Sequence, residues 1–150
     1  MADIDQIDEK ILRELSRSGR MSNLDLSDRV GLSPSACLRR VQELERTGVI
    51  RGYRAILDGE RLGHGFVAYI TVGLSVHTKE VQLGFERAMA RASEVRECHN
   101  VTGAFEYLLR VETADLRDYK RFHTEILGTQ PNVNSITSYI VMGSPKDQRA

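Results

Sequence analysis

Between Ser22 and Arg51 the chain sets capping residues, short apolar repeats and glycines so close together that only two short helices meeting at a tight corner fit. Ser22 offers a hydroxyl to the free N–H groups of a helix on which Leu26 and Val30 stand four residues apart, and Gly31 breaks that helix. Leu32 fills the corner. Ser33 is then a cap directly before Pro34, placed at the helical position where a missing N–H costs nothing, so a second helix starts there and runs to Gly48. The spacing predicts a helix-turn-helix.

On the second helix Cys37, Val41 and Leu44 fall at i, i+4 and i+7 with Leu38 alongside, which makes one side core. The other side is expected to present Ser35, Ala36, Arg39, Arg40 and Glu43, with Ser33 at the cap. Small residues in the first turn let a helix approach base edges, and the planar arginine fork matches guanine O6 and N7 while also gripping phosphate. The same pattern also serves two helices that merely pack, with arginines on a solvated face, because helical patterning alone is weak evidence.

Charge separates along the chain although the formal net charge is +0. Residues 1–28 hold four bases against seven acids, a balance of −3, whereas residues 29–54 hold six arginines against Glu43 and Glu45, a balance of +4. Positive charge thus collects on the second helix and the segment behind it, where phosphates would lie. With 41% hydrophobic and 28% charged residues the chain is globular, and its 150 residues permit two small domains. It has no secretory h-region and no apolar run near the 18 or so residues of a membrane span, so a cytoplasmic location without membrane contact is expected. Cys37 and Cys98 fall in different expected domains, look buried, and imply no disulfide.

Upstream, Ile4, Ile7, Ile11, Leu12 and Leu15 repeat at helical spacing and stop before Ser18-Gly19-Arg20, giving a first helix whose stripe covers the other two. A core this small is marginal alone. Downstream, Val49-Ile50 and Tyr53–Leu57 predict a wing or linker strand whose Arg54 touches phosphate or stays on an exposed edge. Gly63-His64-Gly65 is a hinge, too short for a phosphate loop. From Phe66 the period changes to two, Ala68, Ile70, Val72 and Leu74 alternating with Val67, Tyr69 and Thr71.

Next come a helix capped by Thr78 with Val81, Phe85, Ala88, Met89 and Ala92 on one side, and strands over 95–102 and 105–113. A second helix capped by Asp115 carries Leu116, Tyr119, Phe122 and Ile126 as its buried stripe, and a last strand spans Ser135–Met142 before a tail, Ser144–Ala150, expected to fray. Strand, helix, strand, strand, helix, strand is a doubled unit with both helices on one face of a four-stranded antiparallel sheet. Leu108, with Tyr139 and Cys98, is expected on the opposite face, and a second copy of the sheet is its simplest cover, hence a homodimer.

With the stretches LSPSACLRRVQELERTGVIRGY, ECHNVTGAFEYLLRV and NVNSITSYIVM, the chain from about residue 3 to 143 resembles the leucine-responsive regulatory protein and asparagine-regulator (Lrp/AsnC, feast/famine) transcription factors. The resemblance implies an α+β protein: an N-terminal winged helix-turn-helix with its linker strand over residues 1–60, and a C-terminal ferredoxin-like βαββαβ domain for effector binding and oligomerisation over residues 61–150. It further implies double-stranded DNA as partner, location with the nucleoid, dimers assembling into octamers or higher, and an amino-acid effector held between dimers near the loop joining the second and third sheet strands. Here that loop is Val101, Thr102, Gly103, Ala104, Phe105, Glu106 and Tyr107, with Ser138 and Tyr139 as further candidates from the last strand.

A glycine-bearing turn exposes N–H groups to an α-carboxylate, and a carboxylate pairs with an α-ammonium. The plainer alternative is a hairpin turn beside a solvated Glu106. Many relatives carry aspartates where this chain has Ala104 and Glu106, and a hydroxyl residue where it has Ile136, so the effector's identity does not carry over. His64, His77, His99 and His123 lack metal-ligand spacing and no nucleophile elbow appears, so neither a metal cofactor nor an enzyme is expected. An effector-independent architectural DNA-binding protein is the competing reading.

Overall fold

The structure, a computed structural model, describes residues 4–147. They fall into two compact units, the first closing at Ile56 and the second spanning Leu57–Asp147. The tail expected to fray lies partly outside the described residues.

In the first unit three helices close one core: α1 Gln6–Arg17, α2 Asn23–Val30 and α3 Pro34–Arg46. The second and third begin at the caps expected from the sequence, and the first is capped by Asp5. Asp5 accepts from the N–H groups of Ile7 and Asp8 in a reciprocal capping box, Ser22 accepts from Asp25, and Ser33 accepts from Ala36. Gly31 ends α2 in the left-handed region at φ 75°, a conformation in which a side chain would be strained. Ile11, Leu26, Val30, Cys37 and Leu44 are buried together, with Ile7, Leu15, Leu32 and Val41 packed around them.

Two expectations fail here. Leu38 is 46% exposed and not part of the core, because a helix turning 100° per residue carries it away from the Cys37–Leu44 line. Nor do Tyr53–Leu57 form a strand. Residues 51–58 join no ladder, since a strand requires a neighbour and no described segment pairs with them. Tyr53 is instead anchored by its hydroxyl, which donates to Glu45 Oε1 at 2.8 Å.

The second unit holds β1 Phe66–Leu74, α4 Lys79–Arg91, β2 Val95–Asn100, β3 Tyr107–Thr113, α5 Leu116–Arg121 with a π-helical turn over Phe122–Leu127, and β4 Val133–Ile140. The four strands form one antiparallel sheet in the order β2-β3-β1-β4. Ala68, Ile70, Val72 and Leu74 of β1 and Tyr107, Leu109 and Val111 of β3 are buried with Phe85, Met89, Tyr119, Phe122 and Leu127 of the helical segments. This is the doubled strand-helix-strand unit expected from the sequence.

Three local differences have physical causes. The helix after Asp115 does not bury Leu116, which is 64% exposed. The π turn inserts one residue, so that Leu127 is fully buried and Ile126 only partly. Cys98 pairs in register with Leu109 and packs on the helix-side core, not on the opposite face, because a bulge between Val95 and Glu97 shifts the alternation of β2. Strands β2 and β3 stop at Asn100 and Tyr107, leaving a longer loop than expected. Among the described residues no helix is long and apolar enough to cross a membrane.

Candidate nucleic-acid interface and effector site

Because Cys37 and Leu44 fix which side of α3 is inward, the outward stripe is Ser35, Leu38, Arg39, Gln42 and Arg46, all exposed. Ser33, at the cap, is exposed and lies 3.4 Å from the Ser35 hydroxyl. Of the other residues expected on this face, Ala36 and Arg40 are half-buried on its flank.

The two adjacent arginines are in opposite situations. Arg40 donates from one guanidinium nitrogen to Asp5 at 2.8 Å and Asp8 at 2.9 Å, tying α3 to the start of α1. The same contact, after the N–H of Asp8, holds the Asp5 carboxyl below its usual range, and the two aspartates raise Arg40 further. Arg39 has no side-chain partner among the described residues, and neither does Gln42. Glu43 is paired with Arg46 one turn on. The helix therefore shows a free guanidinium, a free amide, a hydroxyl and one leucine to solvent, while its other charges are largely spent internally.

Two further ties brace the three helices. Asn23 Nδ2 donates to the Pro34 carbonyl at 2.8 Å, joining the beginnings of α2 and α3, and Arg29 reaches Glu14 at 3.0 Å. Arg54 is exposed and, with Arg51, borders a cavity of about 670 Å³ formed with Leu12, Leu15 and Tyr53. Burial and then Glu45 push the Tyr53 phenol up to about 12, so it remains a donor throughout the physiological range.

In the second unit the loop between β2 and β3 is pinned at its base and free at its tip. Val101 N–H donates to the Glu106 carbonyl at 2.9 Å, Asn100 Nδ2 donates to the same oxygen at 3.2 Å, and Glu106 N–H donates to Val72. Thr102, Gly103 and Ala104 are exposed, Gly103 at φ 129°, and Phe105 is half-buried. The Glu106 carboxylate turns toward the end of β1. One oxygen accepts the Leu74 N–H at 2.6 Å and the other lies 3.0 Å from His77 Nε2, which is also 3.0 Å from the Leu74 carbonyl.

Gly73 lets the start of β4 crowd against the same end of β1, since a Cβ there would collide with the Ser135 hydroxyl and come within 2.9 Å of Asn134 Oδ1. His77, Asn134 and Ser135 were not among the expected site residues; only the β1–β4 register, which pairs Gly73 with Ser135, reveals the last two. The same register separates Ser138 from Tyr139. Ser138 faces the helices, where its hydroxyl bonds that of Tyr119, whereas Tyr139 is exposed opposite Tyr69 on the other face. Val101, Gly103, Ala104, Phe105 and Glu106 thus share one loop, and Ser138 and Tyr139 do not join them on a common surface. Among the described residues no three His, Cys, Asp or Glu side chains are grouped to hold a metal ion.

Comparison with known proteins gives both units relatives. Residues 67–150 match the Lrp/AsnC ligand binding domain, and residues 4–51 match a winged helix-turn-helix DNA-binding domain. The leucine-responsive regulatory protein of Escherichia coli K12 is 41% identical over 144 residues, covering 96% of this chain and 88% of that protein. Among solved structures, a transcriptional regulator from Neisseria meningitidis in complex with L-Met superposes with a TM-score of 0.91 at 35% identity, over 95% of this chain and 92% of that one. A feast or famine regulatory protein from M. tuberculosis complexed with L-methionine gives a TM-score of 0.85 at 31% identity, over 98% and 97% of the two chains.

Proposed function

The chain belongs to the Lrp/AsnC family of transcriptional regulators, not enzymes, and from that premise we propose that it binds specific duplex DNA through α3 and adjusts that binding to an amino acid. The observation that carries the reading is the outward stripe of α3: Arg39 and Gln42 stand exposed and unpaired beside the exposed Ser35, with small residues at the helix start. Ser33, Ala36 and Glu43 border that stripe. Arg40 orients the helix through Asp5 and Asp8, and Arg54 supplies phosphate contact.

Amino-acid binding is assigned to the loop Val101–Glu106 and the groups gathered at Glu106. Related proteins have been solved with L-methionine, and the exposed N–H groups around Gly103 suit a carboxylate. Ser138 and Tyr139 contribute only indirectly, through Tyr119 and through the opposite sheet face. A homodimer formed by that face, with exposed Tyr139 and half-buried Leu108 and Tyr69, would present two copies of α3, and further association into octamers would add avidity. The residues assigned to the helix-turn-helix with its linker are 1–60, and those assigned to effector binding and assembly are 61–150. The setting is the cytoplasm, with the nucleoid.

Gel shift on the protein's own upstream DNA, repeated with each of the common amino acids, tests both halves. Retardation altered by at least one amino acid is expected. A shift that none alters makes the protein an effector-independent architectural DNA binder, and no specific shift removes the DNA-binding reading.

A further inference from the structure

Leu38 stands on one flank of the outward stripe of α3, 46% exposed, with Ser35 one turn before it, Arg39 next in sequence and Gln42 one turn after it. Its neighbours are polar, and the apolar side of the same helix is already filled by Cys37, Val41 and Leu44. Packing within the helical unit therefore does not account for a leucine here. In the major groove one base presents a methyl group, thymine, and apolar side chains read it by direct contact. Adenine alone presents an acceptor and a donor that match a carboxamide. The Gln42 amide is free for that purpose, and Arg39 is free for guanine or phosphate. Positive charge concentrated over residues 29–54 matches a polyanion in front of this stripe.

We propose that Leu38 and Gln42 are the specificity-determining pair of α3, Leu38 reading a thymine methyl and Gln42 an adenine. The proposal rests on the DNA-binding reading above and sharpens it into a statement about the operator. Four residues advance about 6 Å along a helix, and base pairs are spaced about 3.4 Å apart. The thymine and the adenine then lie within about two base-pair steps of each other, and each half-site contains one such A·T-reading position pair.

The test uses the full chain and duplexes enriched by it from a random pool. Each thymine of the enriched half-site is replaced in turn by deoxyuridine, which lacks only the methyl group. The wild type is expected to lose about fourfold in affinity at one thymine per half-site, the equivalent of one buried methyl, and Leu38→Ala to lose nothing further there. Leu38→Met, which keeps an apolar reach, retains the sensitivity, so a merely misfolded alanine variant cannot imitate the result. Replacing adenine by 7-deazaadenine within two steps of that thymine is expected to weaken the wild type and leave Gln42→Ala unaffected. Indifference of the wild type to every deoxyuridine, or an equal loss in Leu38→Ala, overturns the assignment while leaving sequence-specific binding intact. Failure of any sequence to enrich overturns the DNA-binding reading, and the assignment falls with it.

Discussion

The helical unit keeps its chemistry on one continuous helix, whereas the sheet unit gathers its own around Glu106 from segments about thirty residues away on either side in sequence. On α3, Ser35, Arg39 and Gln42 are related by helical geometry alone, so their grouping survives any motion of the helix as a body. Around Glu106, the contributing groups come from Leu74, His77, Ser135 and the loop itself, and they meet only because β1 pairs with both β3 and β4. One site is built by local spacing and the other by register. Under the function proposed above, a ligand bound where strands and loop meet would act without touching the outward face of α3.

The comparison is broken most forcefully at the π turn that brings the last helical segment onto the sheet. Leu127→Ala should cost the sheet unit about 2–5 kcal/mol in urea unfolding, as for a fully buried leucine, and Ile126→Ala clearly less. Leu116→Ala should stay within about 0.5 kcal/mol. The reverse order for Leu127 and Ile126 would restore an uninterrupted α-helix.

Next in size is the contrast between neighbouring arginines. Arg39→Ala should weaken specific DNA binding by about 1–3 kcal/mol if it reads a base, or mainly reduce the salt slope if it grips phosphate. Arg40→Ala should lower the melting temperature of the helical unit and affect DNA binding less, because its partners are Asp5 and Asp8. Equal effects of the two changes on titrations against salt would mean that the outward face is wider than the stripe described.

At the strand-built site, Glu106→Ala should abolish the amino-acid response in gel shift while light scattering still reports dimers, since it removes both the Leu74 and His77 contacts. An undiminished response would remove Glu106 from the site. The smallest effect concerns acid. The Asp5 carboxyl is held below its ordinary value of 3.8, so its stabilisation of the helical unit is present above that value and lost as pH falls through the lower, folded-state value. Asp5→Asn should flatten this part of the acid-melting profile followed by circular dichroism, and an unchanged profile would assign the acid sensitivity elsewhere.

The uneven legibility of the two regions follows from how each is built. Caps and glycines are local signals, and Ser22, Ser33, Thr78 and Asp115 all cap where the sequence places them. The alternation from Phe66 to Leu74 gave the central strand because both faces of β1 obey period two. Helical spacing places Leu38 with the core of α3, yet the residue is exposed, because apolar character alone does not tell a core position from a flank of the same helix. Cys98 changed faces because a bulge leaves no trace in hydrophobic alternation. The π turn is similarly silent, as Ile126 and Leu127 are equally apolar. The gathering at Glu106 was illegible for a deeper reason: pairing partners of β1 are not encoded in any short stretch, so Gly73 beside Ser135 appears only once register is known.

Discrimination between sequences is the most direct measure of the central claim that α3 reads bases. Affinities are compared at one salt concentration for the enriched duplex and for a scrambled duplex of equal length and composition. A preference of at least about a thousandfold is expected, falling sharply in Arg39→Ala, whereas equal affinity for the two duplexes would contradict the account.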